Sequence, residues 1–240
     1  MISSRACSQP DYSKCSKCAL GNICLPGGLD FDDMARLEEI VRLSRPYHQD
    51  ELVYEAGTQL RNVYAVKSGL FKSYINDGEG NEHIVAFHLP GELFGLDAIH
   101  AQRYISTAKS IGTSSVCAID FENLSSLSLK LPSLQKNLIN LMSKEFSSAQ
   151  ALLAEPSADR KLAGFLLGLS SRFKKRGYSE KTFNLTMPRI DIANNLNMAP
   201  ETVSRMFKRL KSEGVIELNL NEVTIVDKHQ LQAISGCMNA

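Results

Sequence analysis

The sequence of 240 residues contains no run of roughly eighteen apolar residues, which removes a membrane-spanning helix from consideration. Its opening stretch, Met1 to Pro10, is polar and lacks the apolar region of a secretory signal. Internal repeats and low-complexity tracts are missing too. Cysteine is scarce, with six residues, and 43% hydrophobic content allows a packed core without disulfide staples. These absences predict a cytoplasmic globular protein in which thiols stay reduced. Cysteines that cluster in such a setting bind metal or do redox work more often than they form structural disulfides. The length suits two modest domains or one large one.

Net charge is also nearly absent, at +1, but it is unevenly spread. From Arg160 to Gly214 twelve Lys/Arg face four Asp/Glu, a local balance of +8, which leaves −7 on the rest. A basic module joined to an acidic one points to nucleic-acid binding by the first; a solvated charged face is the plain alternative.

Against this background stands "CSKCALGNIC", Cys15 to Cys24, with spacing C-x2-C-x5-C. C-x2-C by itself fits zinc or a thiol–disulfide site equally well. Zinc usually takes two paired knuckles, which this chain does not offer. A dithiol oxidoreductase needs its C-x2-C at a helix start beside a strand, and the Gly- and Pro-rich surroundings do not supply that.

Farther along, Asp30 to Asp33 can cap a helix running to about Leu43, with Met34, Leu37, Ile40 and Val41 on one face. From Glu51 to Phe121, the runs "ELVYEAG", "NVYAVKSG", "LFKSYIN", "HIVAFHL" and "SVCAIDF", punctuated by glycines, predict short strands in an antiparallel roll or barrel. Pro132 opens a long helix to about Leu153 with two apolar stripes. Leu134, Leu138 and Leu141 form one. Ile139, Met142, Phe146, Ala149 and Leu153, spaced 3-4-3-4, form the other, as a seam between two helices requires. Glu155-Pro156-Ser157 ends it, and a basic helix follows from Asp159 to about Arg176. His83, His88 and His100 lie in or beside strands and are expected to be ordinary surface or core residues.

"TMPRIDIANNLNMAPETVSRMFKRLKSEG", Thr186 to Gly214, has the pattern of a helix-turn-helix. Pro188 suits the first turn of one helix, Ala193 is small enough for a close crossing, and Asn197 tolerates a left-handed turn. Pro200 opens the second helix, Val203, Met206, Phe207 and Leu210 bury one face, and Gly214 ends it. Glu201, Thr202, Ser204 and Arg205 are then exposed at its start, where side chains read base edges. Lys208 and Arg209 lie farther along and suit phosphates. "VIELNLNEVTIVD" reads as a closing hairpin, as in winged variants.

The order of roll, long helix and helix-turn-helix resembles the bacterial regulators related to the catabolite activator protein. Within that superfamily, the cyclic-nucleotide branch needs a Glu for the ribose and an Arg-Ser pair for the phosphate. Leu96, Tyr104 and Ile105 occupy those places, so no cyclic nucleotide is expected. The C-x2-C-x5-C segment, the distant Cys117 in "SSVCAIDF", and "FHLPGEL", "LMSKE" and "ETVSR" resemble the fumarate–nitrate reduction regulator (FNR) family.

That resemblance implies an α+β fold: a cysteine-rich segment (1–29), an antiparallel β-roll sensor domain (30–130), a dimerisation helix (131–156) and a C-terminal winged helix-turn-helix (157–240). It implies one [4Fe–4S] cluster per subunit held by Cys15, Cys18, Cys24 and Cys117, making the cysteine segment a flap that folds onto the roll only through the cluster. A cluster-free regulator switched by a Cys15–Cys18 disulfide is the alternative. The resemblance further implies a non-enzymatic, oxygen-responsive transcription regulator. As a homodimer on a TTGAT palindrome, it loses DNA affinity when oxygen removes the cluster. The exposed turn "INDGEGNEH" would contact RNA polymerase, as such a loop does in the family. Members often carry Asp where this chain has Ala149, so the cluster-free dimer is expected to be less disfavoured here. Cys7 and Cys237 are read as spare thiols.

Overall fold

The computed structural model describes residues 14–154 and 157–236, with side chains from 14–150 and 157–236. Cys7, Cys237, the Glu155-Pro156 turn and the Leu153 side chain lie outside that range. Helix α1 (Phe31–Ile40) starts at Asp30, whose carboxylate accepts from the Asp33 amide, and leads into strand β1 (Val41–Leu43). The roll is completed by β2 (Leu52–Tyr54), β3 (Asn62–Asn76), β4 (Glu82–His88), β5 (Leu93–Phe94) and β6 (Thr107–Asp120). The strand order is β1-β6-β3-β4, with β2 also on β6, β5 also on β3, and every pairing antiparallel.

Two expectations need correction. The first helix stops at Ile40 rather than Leu43, because Val41–Leu43 pair with Ile119, Ala118 and Cys117 of β6; sheet pairing overrides the helical pattern. The runs "NVYAVKSG" and "LFKSYIN" are one strand, β3. Gly69 marks a bulge within it, with φ of 79° and register shifts between Val66 and Ser68 and between Ser68 and Leu70. A Cβ there would sit 2.2 Å from the Ser114 hydroxyl oxygen, so the close crossing requires glycine.

After β6, Asp120 caps α2 (Phe121–Lys130), an element with no strong signal in the sequence. Helix α3 (Pro132–Ala154) matches the long helix expected. Then come α4 (Ala158–Lys175), β7 (Thr182–Asn184), α5 (Arg189–Asn195), α6 (Pro200–Ser212), the hairpin β8 (Ile216–Asn219) and β9 (Glu222–Ile225), and α7 (Lys228–Ser235). β7 adds a third strand to the wing, on β9. Helix α7, unforeseen, is capped by Asp227 and ended by Gly236 in the left-handed conformation.

Stacked rings fill the inside of the roll. Tyr54 lies on Tyr104 at 3.9 Å between centroids, and Phe94 contacts Tyr54, Tyr64 and Phe71. Tyr104 is buried and its hydroxyl donates to the Asn62 carbonyl at 2.6 Å. Ile105 is exposed and Leu96 half-buried. No cation stands at any of these three positions, although a buried phosphate would need one.

His88 is buried, stacks on Phe94 and bonds the Ser73 hydroxyl at 2.8 Å. Burial pushes its pKa from 6.5 down to about 4, against a nearby Glu92 carboxylate that favours the proton and with Arg172 that disfavours it. In the unfolded chain the imidazole takes its proton below 6.5; in the folded one it does so only near 4. The unfolded state therefore binds more protons in that window, so stability is full above 6.5 and falls as pH drops through it. Denaturant titrations at pH 7 and pH 5 are expected to show about 2 kcal/mol of loss that His88→Gln lacks. Equal losses in both proteins would refute this.

The C-terminal helices α4 and α5 pack directly on the roll. Glu92, in the turn after β4, is gripped by Arg172 and Arg176 of the α4 region. These guanidiniums also donate to the Phe87 and Pro90 carbonyls, each at 2.6 Å. The paired cations hold the Glu92 carboxyl down to about 2, despite its burial. On the other side of the contact, buried Lys72 meets Asp191 of α5 at 2.7 Å, and the Asn194 and Asn195 amides cap the edge of β4.

Candidate functional site

The cysteine segment folds against the roll as a chain of turns. A short 3-10 turn, Cys15–Lys17, is followed by backbone bonds from Gly21 to Cys18 and from Cys24 to Leu20. Leu25 is buried among Leu37, Val41, Leu124 and Leu134. The Ser16 amide donates to Glu38 of α1 at 2.7 Å, and the Asn137 side-chain amide of α3 donates to the carbonyls of Leu25 and Gly27. The flap thus has apolar and hydrogen-bond contacts to α1 and α3 in addition to its cysteines.

Cys15, Cys18 and Cys24 of the flap, together with Cys117 of β6, line one recess. β6 brings Cys117 there by pairing it with Ala65 of β3 and Leu43 of β1. All four are free, half-buried thiols. Burial first, and then the neighbouring Cys117, Glu38 and Cys18, push Cys15 up to about 11, against the Lys67 ammonium. Burial pushes Cys24 up to about 12, opposed by the Leu25 amide. Cys117 is raised by burial and by Cys18, and Lys67 again opposes. Lys14 and Lys67 both line the recess, and the Lys67 ammonium donates to the Cys18 sulfur at 3.1 Å. Sequence reasoning missed Lys67, because only the β3–β6 register sets it beside the cysteines.

The donor set fits a multiply charged metal group. Cys15, Cys24 and Cys117 resist ionisation on their own, and clustered thiols give up their protons when cationic metal sits among them. Among the described residues no three potential ligands are disposed around a single ion. Sulfurs on one zinc lie within about 4 Å of each other, a packing that a polynuclear group with one corner metal per thiolate does not require.

At the far end of the chain, α5 and α6 form the helix pair expected. Ala193 is fully buried at the crossing, and Asn197 makes the turn with φ of 54°. Val203, Phe207 and Leu210 are buried, with Met206 half-buried. Glu201, Ser204, Arg205 and Lys208 are exposed, and Thr202 is half-buried within reach of Arg205 at 3.3 Å. Arg209 is also exposed, but its guanidinium turns to Asp159 of α4 at 2.7 Å, so it is less available to a phosphate than its position in the sequence suggests. Arg189, which the sequence did not single out, lies over the Phe207 ring at 3.6 Å and locks the start of α5 to α6.

On α3, Leu134 is buried and Leu138 and Leu141 are half-buried against the roll. Ile139, Met142 and Phe146 are 58%, 44% and 65% exposed, and Ala149 is exposed beside them. The second stripe thus has no cover among the described residues. The turn at Asp77 is held shut by its carboxylate, which accepts from the Glu79 and Asn81 amides and from the Asn81 and His83 side chains.

Residues 44–130 match the cyclic nucleotide-binding domain and residues 160–234 the Crp-like helix-turn-helix domain, which implies DNA binding. The chain is 41% identical to the transcriptional activator protein anr of Pseudomonas aeruginosa over 92% of each chain. It is 37% identical to the fumarate and nitrate reduction regulatory protein of Vibrio cholerae, over 92% of this chain and 90% of that one. The structure of FixK2 from Bradyrhizobium japonicum aligns over 81% of this chain and 97% of that one, with 26% identity and a TM-score of 0.73. No described helix is long and apolar enough to cross a membrane. The α+β architecture, the DNA-binding helix pair and these relatives agree: the chain is a transcription regulator, not an enzyme, and belongs to the FNR family of Crp-like regulators.

Proposed function

We propose that this regulator is an oxygen sensor that carries one [4Fe–4S] cluster per subunit on Cys15, Cys18, Cys24 and Cys117. The observation that carries the reading is the convergence of three flap cysteines and one strand cysteine on a single recess beside Lys67. When bound, the cluster supplies an oxygen-labile centre. The chain's own residues do the rest. Lys67 offsets part of the negative charge of the thiolates, and Leu37, Val41 and Ile119 limit access of water to them. Leu25 carries the position of the flap to α3.

The exposed stripe Ile139, Met142, Phe146 and Ala149, with Leu153 next in the series, is read as the seam of a homodimer in the cytoplasm. A two-fold dimer sets two α6 helices about 34 Å apart, one DNA turn, on a TTGAT-N4-ATCAA-like palindrome. Glu201, Thr202, Ser204 and Arg205 are the base-reading set; Lys208 serves phosphate, with Arg209 available once it leaves Asp159. The domain limits proposed are 1–29, 30–130, 131–156 and 157–240. The closed Asp77 turn is the surface offered to RNA polymerase.

Anaerobic purification, with iron and sulfide analysis and a visible spectrum followed through air exposure, tests the sensor. About four iron and four sulfide per chain, with absorbance that bleaches in air, is expected. A colourless, iron-free protein would favour the thiol switch instead. For the DNA reading, Arg205→Ala is expected to lose about 1–3 kcal/mol on the cognate site and to discriminate less at one base. Lys208→Ala should weaken all sequences alike and flatten the salt dependence. Binding titrations on matched and mismatched duplexes check both, and the reverse pattern would reassign the two side chains.

A further inference from the structure

The half-buried Asn137 side chain sits on α3 beside the inward stripe, on the side away from the exposed one. Its amide nitrogen donates to the Leu25 carbonyl at 3.2 Å and to the Gly27 carbonyl at 2.6 Å. Both partners are carbonyl oxygens, which only accept, so the orientation of the amide is fixed by chemistry. Both N–H donors of the side chain are spent on the flap. Among the described residues neither carbonyl accepts from the backbone, so Asn137 is not a redundant contact. The two carbonyls lie one and three residues beyond Cys24. The Leu25 side chain, 1% exposed, lies in the same apolar cluster as Leu134.

The position on the helix matters as much as the bonds. Asn137 and Ile139 are two residues apart, about 200° around a helix, so they face opposite ways. A pull on Asn137 therefore cannot touch the seam directly. It acts by setting the tilt and position of α3, the rigid body that carries the seam. Leu25 supplies a plug with little directional preference, whereas two hydrogen bonds to fixed carbonyls supply direction.

We propose that Asn137 is the positioning residue through which the state of the cysteine flap sets the pose of α3 for pairing with a second copy of the chain. The inference rests on the cluster reading above and names the contact that transmits it. When the flap is held at Cys15, Cys18 and Cys24, the Leu25 and Gly27 carbonyls stay where Asn137 can reach them. When the flap loosens, the amide loses both partners and α3 loses that restraint. Linkage makes the coupling reciprocal: dimerisation must shift the equilibrium of the flap away from the loosened state by the same factor.

The test is a pair of variants with sedimentation equilibrium done anaerobically on iron-loaded and iron-free protein, with iron and sulfide measured in each sample. Asn137→Asp keeps the shape but turns two donors into acceptors facing two carbonyls; Asn137→Ala removes the group without adding repulsion. In the wild type the loaded form is expected to dimerise at least about tenfold more tightly than the iron-free form. Both variants should keep wild-type iron content after anaerobic loading and a wild-type dimer constant when iron-free, while the loaded-to-free ratio falls to within about threefold of unity. A ratio that stays at the wild-type value would overturn the coupling. Equal weakening of loaded and iron-free dimers would also overturn it, since that marks a structural part in α3 alone. A wild type without iron, or one whose dimer constant ignores iron, would overturn the cluster reading itself and the coupling with it.

Discussion

Cys117→Ala is expected to leave the protein folded and to abolish iron retention, lowering the iron held after anaerobic purification by more than about tenfold. Cys117 is the only one of the four recess thiols that does not come from the flap, so it joins flap to roll. Loss of a supporting contact behind a metal ligand commonly costs 10–100-fold in affinity, and loss of a ligand itself should cost at least that. The fold should survive, because Cys117 is half-buried and faces the small side chain of Ala65 across the sheet. Circular dichroism and thermal unfolding of the iron-free proteins check the fold; iron and sulfide analysis checks the rest. The same variant separates the sensor from a Cys15–Cys18 disulfide switch. Under the switch, Cys117→Ala would keep full redox-dependent DNA binding, and that outcome would remove Cys117 from the site.

The sequence makes some parts of this molecule legible and hides others, for identifiable reasons. The helix-turn-helix is legible because each of its signals is local. Asn197 was expected to tolerate a left-handed turn and has φ of 54°, while Pro200 opens α6 and Gly214 follows its end. The two stripes of α3 are legible because a period of 3.6 residues needs no partner to be seen. The roll is legible as a class but not in detail. Gly69 reads as a break between two strands, yet it is a bulge within one, because the strand continues only thanks to its partner β6. Val41 reads as the last turn of a helix, yet its place is decided by Ile119, far along the chain.

The recess is legible to the extent that spacing shows it. Three cysteines announce themselves, and resemblance adds the fourth. Lys67 and Asn137 announce nothing. A lysine in a strand and an asparagine in a helix are ordinary residues until the β3–β6 register and the docking of α3 place them against the flap. The anchoring of the flap by Leu25 was hidden for the same reason: a single leucine among Cys, Gly and Pro has no period to reveal the face it buries. Contacts between segments tens to more than a hundred residues apart are where single-sequence reasoning stops, and here they join the cysteine flap to β3 and α3.

Phe146→Lys is expected to convert the protein to a monomer at micromolar concentration, even when loaded with iron, and to lower affinity for a palindromic site by two to four orders of magnitude. Phe146 is 65% exposed in the single chain, so the substitution removes little packing there and should change the stability of the monomer by no more than about 0.5 kcal/mol. In a dimer formed along α3, the two-fold axis brings each Phe146 close to its own copy, so the variant replaces an apolar contact with two facing ammoniums. The drop in DNA affinity follows from geometry. Two half-sites joined by a dimer bind with a high effective concentration for the second contact, and a monomer forfeits it without any change at Glu201, Ser204 or Arg205. Binding to a single half-site should therefore stay at the wild-type level. That contrast separates loss of pairing from damage to the reading helix. Ala149→Asp acts on the same seam in a graded way. It sets carboxylates against each other across the axis, so both loaded and iron-free dimers should weaken, the iron-free one to a monomer first. Sedimentation of both variants with titrations on full and half sites decides the matter. A Phe146→Lys protein that remains dimeric and binds the palindrome normally would place the dimer interface elsewhere, and the exposed stripe of α3 would need another partner.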